Sequence, residues 1–73
     1  MNTVQFMYKQ TIDSLINLNK EYEKELTWAR EGTHKCAKMS GTERWHIISS
    51  ISDIIENNES AIEKYRLQMA KAQ

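Results

Sequence analysis

The chain has 73 residues, ten basic against ten acidic side chains, one cysteine and no proline. A core of this size rarely supplies more than ~3–5 kcal/mol without staples or oligomerisation, and a single cysteine excludes an internal disulfide. Zero formal net charge excludes a whole-molecule attraction to nucleic acid or to an acidic membrane surface.

No apolar run approaches the ~18 residues of a spanning helix, and the first residues lack the basic-then-apolar layout of a secretion signal. A free thiol without such a signal predicts a reducing, cytoplasmic setting. One helical domain covering residues 1–73 is expected.

The first predicted helix runs from about residue 3 to residue 31, since nothing in that stretch breaks a helix. Its heptad stripe reads Val4, Tyr8, Thr11, Leu15, Leu18, Tyr22, Glu25, Ala29, with Ile12 and Leu26 beside it. Gly32, just after Arg30, suits a left-handed C-cap. The connection, residues 32–41, has room for one short helical turn capped by Thr33. Ser40 with Glu43 forms a capping-box pattern, and Thr42 is a second cap candidate. The second helix is predicted over about residues 42–72, with the stripe Ile48, Ile51, Ile55, Asn58, Ile62, Tyr65, Met69, Ala72.

The two stripes share a mirror. Folding the chain midway between Gly32 and Gly41 brings together residues whose numbers sum to 73: Val4 and Met69, Tyr8 and Tyr65, Leu18 and Ile55. The expected fold is all-α, an antiparallel two-helix hairpin. Its apolar face is wider than one hairpin needs, because Ile47, Ile54 and Ala61 on helix two add a third apolar position per heptad. The hairpin is therefore expected to pair into a dimeric four-helix bundle. Ile12, Leu26, Ile47, Ile54, Asn58 and Ala61 are the candidate self-association residues. Asn58, which the mirror sets against Leu15, suits a register-setting role, and Glu25 suits the bundle rim.

Chemistry-bearing residues are few. His34, Cys36 and His46 lack a fourth ligand at metal-site spacing, and a thin rod has no pocket to orient a nucleophile. No cofactor, metal or catalytic residue is expected. The fold point instead gathers Trp28, Arg30, His34, Lys35, Lys38, Arg44 and Trp45, a basic, tryptophan-bearing tip opposed only by Glu31 and Glu43. Trp28 and Trp45 are expected to close a lid with Met39 and Cys36. Aromatic and basic groups together fit an interface centre. The expected function is a non-enzymatic small regulator or inhibitor that self-associates and binds another protein through this tip. Such a chain suits an accessory protein of bacteria or their phages. In shape alone the architecture resembles the helical-hairpin dimers of the Rop type, which implies an alternative role in binding nucleic acid. A third reading is an assembly subunit of a larger complex.

Overall fold

Asn2 opens the first helix. Its side-chain oxygen accepts the Gln5 backbone N–H at 2.8 Å, and the Gln5 side chain accepts the Asn2 N–H at 3.3 Å, a reciprocal capping box. The computed structural model describes residues 1–72. Helix α1 spans Thr3–Glu31. Gly32 ends it in the left-handed region, at φ 68° and ψ 44°, with its N–H donating to the Trp28 carbonyl at 2.8 Å. One 3₁₀ turn, His34–Cys36, fills the connection. Thr33 precedes that turn but makes no side-chain cap bond to it. Ser40 then caps α2, Gly41–Lys71, by accepting the Glu43 N–H at 3.1 Å. Thr42 is thus inside the helix, one residue past its start.

The two helices lie antiparallel in a rod measuring 51 × 17 × 11 Å. It is one helix thick. Two pairs keep the mirror sum of 73: the Tyr8 and Tyr65 rings lie 6.0 Å apart, and Arg44 Nη1 donates to the Ala29 carbonyl at 3.4 Å. The expected partners Val4 and Leu18 are exposed instead, and Gln5 and Asn19 meet Met69 and Ile55 in their place. At the open end, Asn2 Nδ2 donates to the Ala72 carbonyl at 3.1 Å and Gln5 Nε2 to the Met69 carbonyl at 3.3 Å. No helix is long and apolar enough to cross a membrane among the described residues.

Helix two packs on its expected stripe, with Ile51, Ile55 and Ile62 buried. Helix one does not. Its inward positions are Gln5, Tyr8, Ile12, Leu15, Asn19, Tyr22, Leu26 and Ala29, while Val4 and Leu18 are exposed at 51% and 44%. Alternate members of the stripe have moved by one residue, which turns the helix by part of a turn about its axis. Burial energetics explain the rotation. The observed phase buries Ile12 and Leu26 in place of Thr11 and Glu25, and each large aliphatic side chain contributes about 1.5–3 kcal/mol when removed from water. The same rotation brings Gln5 and Asn19 inward, and both find partners: Gln5 bonds Met69, and Asn19 bonds Asn58 and the Ile55 carbonyl. No polar or charged residue is buried among those described.

Ile12 and Leu26 are therefore not surface positions for self-association. They are the helix-one half of the core, where Leu26, Ile51 and Ile55 form a cluster with Tyr22, Ile47 and Ile48 packed against it. Asn58 is likewise taken up within the chain: its Nδ2 donates to Asn19 Oδ1 at 2.8 Å, one turn from the Leu15 expected opposite it.

Candidate functional site

The closed end is built around Arg44. This side chain leaves α2 and crosses to the end of α1, where Nη1 lies 3.4 Å from the Ala29 carbonyl and 3.5 Å from the Arg30 carbonyl. Those carbonyls are among the unpaired acceptors that every helix C-terminus leaves, and a cation there meets the negative end of the helix dipole. The guanidinium packs over Gly32 so closely that a Cβ on that residue would sit 2.5 Å from Nη1. Arg44 Nε is buried without a hydrogen-bond partner. Arg44 is consequently a structural clamp, and Arg30, Lys35 and Lys38 are the exposed cations of the tip.

The two tryptophans part company. Trp28 stacks on the His34 ring at 4.6 Å and 20°. It lines a hollow of about 160 Å³ with Glu25, Lys35, Cys36, Met39, Ile47 and Ile51. Trp45 is 62% exposed, and its ring meets that of His46 edge-on, at 5.4 Å. The expected two-tryptophan lid is therefore half a lid: Trp28, Met39 and the buried Cys36 form it, and Trp45 stands outside. The reason is heptad position. Trp45 directly follows Arg44, and Arg30 directly follows Ala29, so both fall on the flank opposite the hollow. Among the described residues no group of three or more His, Cys, Asp or Glu is placed to hold a metal.

A second surface runs along one side of the rod, on the side of the hollow. Helix one contributes Val4, Met7, Thr11, Leu15 and Leu18, which line two shallow grooves of about 320 and 390 Å³ with Tyr8, Tyr65, Gln10 and Ser14. Helix two contributes Ile47 to the hollow, and Ile54 and Ala61 repeat at seven-residue spacing from it, on the same side. Ile54 is 37% exposed and Met7 61%. Three of the six expected self-association residues, Ile47, Ile54 and Ala61, thus lie on this front face, joined by Val4, Met7 and Leu18. The signal for those three was the competition between adjacent heptad phases. Once Ile12 and Leu26 are taken inward, Val4 and Leu18 have to face out.

Comparison of the chain with protein-family models, with curated proteins and with solved structures gives no match.

Proposed function

We propose that the protein is a non-enzymatic small regulator that self-associates through its front face and docks another protein through its tip. The observation that carries the tip reading is Trp45, a large aromatic side chain exposed beside the Arg30 flank of a basic end. Tryptophan and arginine are the residue types most enriched at interface centres, and a solvated tryptophan contributes little to the stability of its own chain. An acidic protein surface is the partner such a group fits. Dimerisation into a four-helix bundle is supported by the row Val4, Met7, Leu18, Ile47, Ile54 and Ala61, too apolar for a face in water. Nucleic-acid binding is the weaker reading, because Arg44 is held on the α1 carbonyls and leaves three exposed tip cations. An enzymatic role has no support in the two large grooves, whose linings carry no carboxylate, imidazole or thiol.

The test compares two baits in co-purification: the wild type, and Trp45→Ser with Lys38→Glu. Proteins retained by the first and lost by the second are the tip partners. Identical captures by both baits would remove the tip from the proposal.

A further inference from the structure

Granting the self-association proposed above, the front face also specifies how the second copy lies. We infer that two hairpins stack front to front with their closed ends at opposite ends of the bundle, and that Met7 of each copy seats in the hollow lined by Trp28, Cys36, Met39 and Ile47 of the other.

Surface area points to a second copy as the occupant. The chain exposes 5377 Å², whereas a compact monomer of its mass exposes about 4,700 Å². The excess, about 700 Å², is close to the ~800 Å² that each partner buries in a standard specific interface. The exposed apolar residues that make up the front face are spread along the rod rather than gathered at one end, as a contact with another rod requires.

The position of those residues sets the direction. Met7 lies four residues from the start of α1 and Trp28 three residues from its end. Leu18 is one residue past the helix midpoint. A two-fold axis across the middle of the front face lays α1 on the second copy's α1, antiparallel, so Leu18 meets its own counterpart and Met7 arrives over Trp28. On α2 the same operation sets Ile54 near its counterpart and large Ile47 against small Ala61. Packing large against small is what interdigitation needs.

The hollow supplies the matching hole. It is about 160 Å³, lined mainly by apolar side chains with Glu25 and Lys35 among the seven lining residues, and is not filled by any side chain of its own copy. Met7 is an exposed, unbranched side chain of the type that adapts to irregular gaps. The opposite orientation fails on both counts. With closed ends together, α1 lies on the other copy's α2, hollow faces hollow, and Met7 meets the region of Lys64 and Gln68. Two tips, each carrying four basic against two acidic residues, would also be brought side by side.

Cysteine cross-linking separates the arrangements. In a Cys36→Ala background that sediments as the wild type does, Leu18→Cys is expected to give a disulfide-linked dimer under mild oxidation, since each residue 18 meets its own counterpart only when the closed ends are apart. Met7→Ala is expected to weaken dimerisation about tenfold or more by sedimentation equilibrium, with unchanged helicity, as befits loss of a seated anchor. In a Trp28→Ala background the same change is expected to add little, because the two sites act as one. A wild type that sediments as a monomer overturns both the bundle and its orientation. A dimer in which Leu18→Cys does not cross-link, or in which Met7→Ala is neutral, overturns the orientation and leaves self-association standing.

Discussion

Asn58 donates from Nδ2 to Asn19 Oδ1 at 2.8 Å, and Asn19 donates in turn to the Ile55 carbonyl at 3.4 Å, one polar rung in an otherwise apolar ladder. The rung lies between Ile12 and Ile62 on one side and Leu26 and Ile51 on the other. Asparagine opposite asparagine is satisfied only in this alignment. A slip by one heptad would oppose the two amides with Ile51 and Ile12, or with Tyr65 and Leu26, and leave their polar atoms without an amide partner.

Asn58→Ala is therefore expected to cost about 1–3 kcal/mol, mainly through the half-buried Asn19 oxygen left without its partner. The double change Asn19→Leu with Asn58→Leu is expected to cost less, or to stabilise, while loosening the alignment. Guanidinium unfolding of the two single leucine variants and the double closes the cycle. Additive effects would show that the rung is not a coupled pair.

Leu26→Ala is expected to destabilise by about 2–5 kcal/mol, as for other buried leucines. Leu18→Ala, measured at a protein concentration low enough to hold the chain monomeric, is expected to cost under about 1 kcal/mol, since Leu18 is 44% exposed. Equal losses would mean that helix one packs in the other heptad phase.

That contrast marks how far the residues could be read unaided. Glycine and capping chemistry are local, so Gly32, Ser40, both helix spans and the antiparallel fold-back are legible in the sequence. Helix two was also unambiguous, because its isoleucines fill one phase without competition. Helix one carries two phases of similar apolarity, Val4 with Leu18 against Ile12 with Leu26. The choice between them depends on what lies across the seam, including an asparagine partner for Asn19 and a carbonyl for Gln5. The role of Arg44 was hidden for a similar reason: a long side chain finds helix-end carbonyls fifteen residues away only after the chain has turned back.

Gly32→Ala is expected to destabilise through two separable terms. One is the left-handed backbone, at φ 68°, which any Cβ disfavours by about 1 kcal/mol. The other is the collision with the Arg44 guanidinium. In an Arg44→Ala background the second term vanishes, so the glycine substitution should be milder there. Thermal denaturation of the four proteins measures it, and an undiminished effect would leave Arg44 out of the account.

Ile54→Glu is expected to leave the helical signal of the isolated hairpin nearly intact, because Ile54 is 37% exposed. It is also expected to split the dimer, since two carboxylates would meet near the bundle centre. Sedimentation equilibrium beside circular dichroism reads both. Loss of helix rather than of association would place Ile54 in the hairpin core instead.

The apolar cluster of Leu26, Ile51 and Ile55 sits toward the closed end of the rod, not at its middle. Its neighbours Tyr22, Ile47 and Ile48 deepen the same half. Toward the open end, the buried aliphatics thin to Ile12 and Ile62, and the last contacts are solvent-exposed amide hydrogen bonds. Local opening follows buried area, so backbone amides near the chain ends should exchange with solvent fastest. In the two-fold antiparallel pair inferred above, the well-packed half of each copy lies across the fraying half of the other. Association would then slow exchange most at the two termini, with each hairpin acting as a splint for its neighbour's loose end.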